Sequence, residues 1–301
     1  MSSIGAAVTD QENLTDMVWA NAERFADAVV FRRRENESWR DVTAREFAGQ
    51  VLDVARGLIA AGHPPGARIP TGGAGYDWVL AQFGVWTSGG VPVPGADPVV
   101  PGRLAEAGRA VDERVAHARR LAVGATDPAT AEASHGELLA AVRGTVLRRA
   151  RLFGVGSSML IRLPVEHPLA RLMVLCGVYT RTTLAIGRDA DLGSYRPTVV
   201  VAEPDLLERV HDAARNRARA EDRGRLFAAA EAVAVEYSRS LDRTGPGITL
   251  LGKHMAANRL VYPKVRAALG GRCTAVLCPG EPVDPRLRHF FRGIGIAVQS
   301  V

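Results

Sequence analysis

Short apolar runs that alternate with longer amphipathic segments constrain the fold of this chain more than any other sequence feature. Five runs have the length and composition of buried strands, at residues 159–163, 182–186, 198–202, 273–277 and 294–298. Helical patterns separate them, at residues 169–179, 204–241 (long enough to contain a break), 255–269 and 285–292. Strand–helix alternation at this spacing predicts an α/β fold with mainly parallel sheets flanked by helices.

The amino-terminal part of the chain contains the most clearly marked helix. Thr43 and Glu46 form a capping box, in which each side chain accepts a hydrogen bond from the other residue's backbone amide. Apolar residues then recur at helical spacing until Gly62 ends the run. Further elements are predicted nearby, namely helices at residues 76–87, 103–121 and 137–152 and a short buried strand at residues 90–94.

Residues 124–135 differ in composition from the segments on either side. They are mostly small or polar, and neither helical nor strand periodicity runs through them. This predicts a linker that separates an amino-terminal α/β segment, residues 1–123, from a second α/β segment, residues 136–301.

The charged residues argue against a nucleic-acid partner. The formal net charge is +6, and because lysine occurs only at Lys253 and Lys264, the cations are almost all arginines. These arginines are interleaved with acids rather than with aromatic residues. The three cysteines suit neither a metal knuckle nor a redox pair, and no apolar run reaches the ~20 residues of a membrane span. We therefore expect a cytoplasmic protein with no transmembrane segment and no nucleic-acid ligand.

Three stretches carry motifs that occur in the same order in a known group of enzymes. The first, residues 39–94, begins with Trp-Arg-Asp-Val-Thr before the capped helix and ends with Gly-Gly-Val-Pro-Val-Pro. The second, residues 159–210, contains Leu-Pro-Val-Glu-His and, later, Arg-Pro-Thr and Glu-Arg-Val. The third, residues 260–296, contains Cys-Pro-Gly-Glu-Pro-Val and ends with His-Phe-Phe-Arg-Gly-Ile-Gly-Ile.

Together these motifs make the chain resemble the long-chain fatty acyl-CoA synthetases, a branch of the adenylate-forming, AMP-binding ligases. The resemblance implies an α/β fold that is a truncated version of the family's large amino-terminal domain. It also implies a chemistry: family members use ATP and Mg²⁺ to form an acyl-adenylate and then pass the acyl group to coenzyme A. Such a site needs backbone amides and a cation around the phosphates.

The segment that should hold those phosphates departs from the family's pattern. In the family, a Thr-Ser-Gly-Thr-Thr-Gly-x-Pro-Lys-Gly loop precedes a Thr-His turn, which corresponds here to Ser134-His135. Residues 125–133 contain two acids and neither a glycine run nor a lysine. A Thr-Ser-Gly-Gly sequence at residues 87–90 lacks the Pro-Lys-Gly continuation, so it is not the loop. By the same resemblance, the chain is expected to lack the family's Tyr-Gly-x-Thr-Glu segment and its small carboxy-terminal domain.

The resemblance assigns binding roles to two groups of residues. His167 corresponds to a position near the acyl-adenylate and is a candidate substrate-binding residue; the alternative is a histidine that fixes a turn by hydrogen bonds. Pro279, Gly280, Glu281 and Pro282 correspond to the loop that packs on the adenine. They are candidate nucleotide-binding residues, and the alternative is an ordinary turn. No residue is assigned a catalytic or metal-binding role.

Three other features attract attention but receive no role. Cys278 ends a predicted strand without an identifiable base, so a core position is favoured over a nucleophile. The pairs His135 with Glu137 and His289 with Glu281 have no spacing that indicates a metal site or an acid–base site.

Three hypotheses for function follow. We favour a degenerate ligase-like protein that is not catalytic alone, needs no cofactor, and binds a fatty acyl ligand or a partner, either another protein or a second copy. Exposed sheet edges would favour such an association. The alternative is an active ATP-dependent long-chain fatty acid–CoA ligase that uses ATP and Mg²⁺, with phosphates held by residues such as Arg143, Arg148 and Arg149. The third is a pseudogene-like product or a gene-boundary error that hardly folds, which a cooperative thermal transition would contradict.

Overall fold

The computed structural model describes residues 7–36, 38–280 and 283–301. In these ranges the α-helices are α1 (Asp16–Arg24), α2 (Ala44–Ala60), α3 (Tyr76–Thr87), α4 (Pro101–Ala107), α5 (Glu113–Leu121), α6 (His135–Arg148), α7 (Pro168–Thr180), α8 (Leu192–Tyr195), α9 (Asp205–Ala220), α10 (Gly224–Ser240), α11 (Ile248–Leu260), α12 (Tyr262–Ala268) and α13 (Pro285–Gly293). The strands are β1 (Val29–Glu35), β2 (Ser38–Thr43), β3 (Arg68–Pro70), β4 (Val91–Val93), β5 (Ser158–Ile161), β6 (Thr183–Ile186), β7 (Val199–Val201), β8 (Ala275–Cys278) and β9 (Ala297–Ser300).

The chain divides into two compact units. The first unit combines the chain up to Ser157 with Pro164–Ile186, and the second unit combines Ser158–Leu163 with Gly187–Val301. Residues 124–135, the predicted linker, lie inside the first unit. The proposed boundary between the segments 1–123 and 136–301 stays a prediction.

Helix α2 forms because both its beginning and its apolar face are well defined. The predicted capping box is present: the Thr43 hydroxyl accepts a hydrogen bond from the Glu46 amide at 3.2 Å, and the Glu46 carboxylate accepts one from the Thr43 amide at 2.9 Å. The buried face of α2 packs on α3. The two helices approach closely because Gly84 has no side chain, and a Cβ there would lie 2.3 Å from a methyl carbon of Val54.

The first unit contains two groups of strands. β1 and β2 form an antiparallel hairpin, and β1 also pairs in parallel with β6, where Phe31 lies opposite Leu184. β3 and β4 form a separate parallel pair. The sequence predicts β4 and β6 but not β1, β2 or β3. Three consecutive arginines obscure the strand pattern of β1, and one of them, Arg32, is paired across the hairpin with Asp41 at 2.6 Å.

The strands of the second unit are all parallel to their neighbours, in the order β5, β7, β8 and β9. Val200 of β7 lies between Leu160 of β5 and Val276 of β8. β7 and β8 are buried along their whole length, which explains why they are continuous apolar runs rather than alternating ones. Together with the parallel pairs of the first unit, this arrangement confirms the predicted α/β fold with mainly parallel sheets.

The prediction of one continuous helix at residues 103–121 is wrong. The structure has α4, a 3-10 turn at Gly108–Ala110 and then α5. The Asp112 carboxylate accepts a hydrogen bond from the Arg114 amide at 2.9 Å, so it starts a new helix where the apolar spacing predicted a continuous one.

Two further predicted helices are divided in the structure. The break allowed for within residues 204–241 is present between α9 and α10, where Asp222 adopts a left-handed φ of 56°. Residues 255–269 belong to α11 and α12, and Pro263 lies in the first turn of α12. A proline is tolerated in a first turn but not inside a helix, so the chain begins a new helix there.

The last strand begins later than predicted. Residues 294–298 were expected to form it, but Ile294 and Ile296 instead complete the end of α13, where their amides donate to the Phe290 and Phe291 carbonyls. The left-handed Gly295, with φ of 86°, turns the chain into β9. Among the described helices, none is long and apolar enough to cross a membrane.

Candidate functional site

His167 lies immediately before α7 and caps that helix. Its Nδ1 accepts a hydrogen bond from the Leu169 amide at 3.1 Å, and its own amide donates to the Pro164 carbonyl at 2.9 Å. Because Nδ1 is an acceptor, the neutral ring carries its proton on Nε2. The turn-fixing role of this half-buried histidine is therefore visible, and its substrate-binding role stays a prediction.

Residues 124–134 form a compact loop in which the backbone amides donate to groups of the first unit. Thr130 is central to the loop: its amide donates to the Ala133 carbonyl at 2.9 Å, and its hydroxyl accepts from the Ala133 amide at 3.0 Å. Hydrogen-bonded amides in and just after the loop are those of Gly124, Ala125, Asp127, Ala129, Thr130, Glu132, Ala133, Ser134, His135 and Gly136.

The loop is also held closed from within the core. The buried indole Nε1 of Trp86 donates a hydrogen bond to the Ala129 carbonyl at 2.7 Å. Across the loop, Pro128 and Ser134 pair as an isolated antiparallel bridge. These contacts stabilise the loop conformation in which its backbone amides donate to protein acceptors.

This arrangement does not fit a nucleotide triphosphate. A phosphate loop binds through backbone amides that point at the ligand, whereas these amides already donate to protein acceptors. Asp127 and Glu132 add negative charge at the same place, and the Asp127 carboxylate accepts from the Gly124 amide at 2.7 Å. The segment that departs from the phosphate-loop pattern in the sequence is thus a loop closed by its own hydrogen bonds.

The carboxyl ends of β5, β7 and β8 meet at one edge of the second unit's strands, where ligands usually bind in parallel α/β folds. Arg162 follows β5, and its guanidinium pairs with Asp189. Asp189 also accepts a hydrogen bond from Arg209 at 2.8 Å. Burial, reinforced by repulsion from Arg209, lowers the pKa of Arg162. The buried cation at this edge is therefore already neutralised by a protein carboxylate.

The predicted nucleotide loop begins at the same edge. Pro279 is half-buried and Gly280 is exposed, with a φ of 74° that favours glycine. Glu281 and Pro282 lie outside the described residues. The nucleotide-binding role of Pro279, Gly280, Glu281 and Pro282 stays a prediction.

Cys278, the last residue of β8, is a core residue. It is fully buried, and burial together with the carboxylates of Glu203 and Asp205 raises the pKa of its thiol to about 11. A thiol that stays protonated at neutral pH is a poor nucleophile. The same two carboxylates place negative charge at the strand edge, where a polyphosphate would require cations.

Of the histidine–glutamate pairs that received no role, His135, Glu137 and His289 make contacts within the fold, and Glu281 lies outside the described residues. His135 Nδ1 accepts a hydrogen bond from the Leu14 amide at 3.2 Å, and Glu137 completes a capping box with Ser134. His289 Nδ1 lies 3.0 Å from the Ser238 hydroxyl. In the ranges that the structure describes, no group of three or more His, Cys, Asp and Glu residues could hold a metal ion.

Sequence reasoning missed a buried charge cluster around Glu231 in the second unit. The Glu231 carboxylate lies 3.0 Å from Arg286, 3.7 Å from Arg215 and 3.5 Å from His211 Nε2. It borders a cavity of about 240 Å³ between α9, α10 and α13. The available signal was the position of Glu231 in α10, between the buried Ala230 and Ala234 on the core face. The cluster compensates a buried carboxylate and so stabilises the packing of these helices.

The comparisons with known proteins point to one group of enzymes. No protein-family model matches the chain. The long-chain-fatty-acid–CoA ligase FadD15 of Mycobacterium tuberculosis is 30% identical over 360 residues, which cover 97% of this chain and 60% of the relative. The same ligase of Mycobacterium bovis gives the same values. Because the matched stretch is longer than the 301-residue chain, the relatives contain internal segments that this chain does not.

Solved structures show the same fold at low sequence identity. A long-chain-fatty-acid–CoA ligase, FadD1 of Archaeoglobus fulgidus, matches 98% of this chain and 64% of its own with a TM-score of 0.59 and 13% identity. A fatty acyl-adenylate ligase of L. pneumophila, in complex with acyl adenylate and pyrophosphate, matches 93% of this chain and 52% of its own, also with a TM-score of 0.59 and 13% identity. This chain spans about 60% of the length of the curated relatives, is similar over that stretch to these long-chain-fatty-acid–CoA ligases, and shares the α/β fold of the solved ligases.

Proposed function

We propose that this chain is a long-chain fatty acid–CoA ligase-like protein that does not form an acyl-adenylate on its own and that retains binding of a fatty acyl ligand or a protein partner. The loop at residues 124–134 carries the proposal. Its amides donate internally and it contributes two acids, so it lacks what a triphosphate requires. In this proposal the protein needs neither ATP nor Mg²⁺ and acts in the cytoplasm.

Acyl binding is the part of the relatives' function that this chain is most able to keep. The curated relatives are named for long-chain fatty acids, and the L. pneumophila ligase holds an acyl adenylate. Apolar contacts suffice for an acyl chain, whereas phosphates require the directed amides that the loop at residues 124–134 has committed elsewhere. Association with another protein or with a second copy stays part of the proposal.

The alternative is an active ATP-dependent ligase, favoured by the 30% identity over nearly the whole chain. It requires a phosphate site from other cations, for which Arg143 was one candidate. The Arg143 guanidinium is largely buried and donates to the Glu12 carboxylate at 2.5 Å and to the Ala7 carbonyl at 3.1 Å. Its charge is thus already paired, which weakens this alternative.

The melting temperature of the purified chain separates the two functions. A ligand that binds only the folded state raises that temperature by mass action. We expect palmitate to raise it and Mg-ATP to leave it unchanged, with no palmitoyl-CoA formed when coenzyme A is added. A rise with Mg-ATP accompanied by palmitoyl-CoA would establish the active ligase instead.

A double variant separates the charge of the loop from its geometry. Asp127→Asn with Glu132→Gln removes both acids but leaves the other internal amide bonds in place. Because those amides stay hydrogen-bonded within the protein, we expect Mg-ATP to leave the melting temperature of this variant unchanged as well. ATP binding gained by this variant would show that charge alone, and not the folded loop, excludes the nucleotide.

A further inference from the structure

Helix α11 presents an apolar stripe to solvent. Ile248, Leu251 and Met255 recur at helical spacing on one face, and they are 92%, 42% and 62% exposed. The face that contacts the rest of the second unit is a different one: Ala257 is buried, and the His254 ring stacks on that of Tyr237 at 3.8 Å between centroids. The stripe is therefore turned away from the core of its unit.

A cationic groove of about 910 Å³ adjoins this stripe. It lies between the end of α10 and the beginning of α11, and Ile248, the first residue of the stripe, lines it. Arg239, Arg243 and Lys253 line it as well, and all three are exposed. Apolar and cationic side chains thus form one continuous surface.

The acids near the groove do not cancel its charge. Among the described residues that line it, Glu236 is the one acid. Asp242, next in sequence to Arg243, accepts two hydrogen bonds of 2.7 Å from Arg292. Helix α11 itself contains neither aspartate nor glutamate. The surface is consequently positive beside the apolar stripe.

We propose that this surface docks onto an anionic phospholipid bilayer. The stripe of Ile248, Leu251 and Met255 enters the boundary between headgroups and acyl chains, and the exposed cations of the groove contact lipid phosphates. A helix with apolar residues on one side and cations beside them lies in the plane of such an interface. A soluble phosphate would explain only the cations, whereas a bilayer explains the apolar stripe as well. The inference does not rest on the proposed function.

Flotation of the full chain with vesicles tests the proposal. We expect binding to vesicles of phosphatidylcholine with an equal amount of phosphatidylglycerol, and much weaker binding to vesicles of phosphatidylcholine alone. Raising the salt concentration should weaken the binding, because surface cations are screened. No binding to the anionic vesicles, or equal binding to both kinds, would overturn the proposal.

Two apolar variants locate the contact. Ile248→Ser with Met255→Ser should weaken the vesicle partition coefficient about tenfold or more, because less apolar surface enters the boundary. The matched control is Leu121→Ser with Leu147→Ser, which changes two apolar residues of the first unit that are 68% and 62% exposed. Equal partition of the two variants would contradict the assignment. Circular dichroism of each variant verifies that it is folded.

Charge variants provide an independent measurement. Neutralising three of the exposed cations that line the groove, by Arg239→Gln, Arg243→Gln and Lys253→Gln, should weaken binding on the order of a hundredfold. The control neutralises three exposed arginines of the first unit, namely Arg103, Arg109 and Arg114. An equal loss of vesicle binding in the control would show that the net charge of the protein, and not the position of these cations, determines binding, and would overturn the proposal.

Sedimentation that shows a dimer dissociated by Ile248→Ser would identify the stripe as a protein interface and would also overturn the proposal.

Discussion

At the scale of single residues, the polar side chains in the core are the least evident from the sequence. His135 follows the end of the loop at residues 124–134 and is almost completely buried, between the Leu14 amide and the ring of Trp86. Burial lowers the pKa of His135 to about 4 from the ordinary 6.5, although nearby Asp127 opposes the shift. This histidine is therefore neutral in the folded protein at neutral pH and contributes to stability rather than to catalysis.

The buried His135 predicts a pH dependence of stability. Between pH 6.5 and pH 4 the unfolded chain binds a proton at this residue and the folded chain does not, so the free energy of unfolding falls as the pH falls through this window. The loss should reach up to about 3 kcal/mol near pH 4 and add nothing further below it. Urea unfolding at several pH values measures it.

The variant His135→Asn isolates this contribution, because asparagine keeps an acceptor for the Leu14 amide but does not titrate. It should unfold with a shallower pH dependence than the original chain between pH 6.5 and pH 4. The matched control is His63→Gln, which should keep the original dependence. The same slope in the His135 variant and the original chain would refute the prediction.

At the scale of elements, caps and close contacts decide where helices begin and how they pack. The capping box of Thr43 and Glu46 was readable because both partners are near in sequence. The end of α4 was not readable from the sequence, because it depends on a contact between Gly108 and the backbone of Gly57 in α2. A Cβ at position 108 would lie 2.6 Å from the Gly57 nitrogen. Local signals thus fixed where helices begin, whereas the end of α4 depends on a tertiary contact.

The contact between α2 and α3 predicts a steric effect at Gly84. Gly84→Ala places a methyl group against the Val54 side chain and should lower the free energy of unfolding by about 1–3 kcal/mol. Gly49→Ala is the matched control, because Gly49 lies in α2 and a Cβ added there would meet open space. This variant should raise the free energy of unfolding by up to about 1 kcal/mol. Urea unfolding compares them.

The steric explanation for Gly84 has its own test. Combining Gly84→Ala with Val54→Ala removes the nearest clashing atom, the Val54 Cγ1 methyl carbon. The double variant should therefore lose less free energy of unfolding than the sum of the losses in the two single variants. Simple additivity of the two losses would show that the Val54 side chain is not the obstacle.

At the scale of the whole molecule, the three cysteines report on both units. Cys176 lies in the first unit, and Cys273 and Cys278 lie in the second. All are buried, and burial raises the pKa of the thiols to about 12 for Cys176 and Cys273 and to about 11 for Cys278. Protonated, enclosed thiols do not react with disulfide reagents.

Thiol labelling should therefore report unfolding of each unit. We expect no reaction of the native protein with Ellman's reagent near neutral pH, and three thiols per chain in denaturant. The rate of labelling should rise with urea in step with the loss of circular dichroism. Fast labelling of any thiol in the native protein would show that the unit containing it opens locally.

The candidate site was only partly readable from the sequence. The composition of residues 125–133 indicated a departure from the family's phosphate-loop pattern, because glycine and lysine are needed at defined places in such a loop. The stabilising roles of His167 and Cys278 were recognised as alternatives to function, and the hydrogen bonds and burial show them. The charge cluster at Glu231 was missed, since its partners on α9 and α13 are distant in sequence.

The sequence by itself determined the α/β class, the parallel strands of the second unit and the similarity to long-chain fatty acid–CoA ligases, because these depend on local periodicity and on short motifs. Tertiary structure decided how residues 124–134 fold, since that depends on hydrogen bonds such as the one from Trp86, 43 positions before Ala129 in the chain. It also decided that the apolar stripe of α11 is turned to solvent, because which face of a helix is buried depends on the elements packed against it.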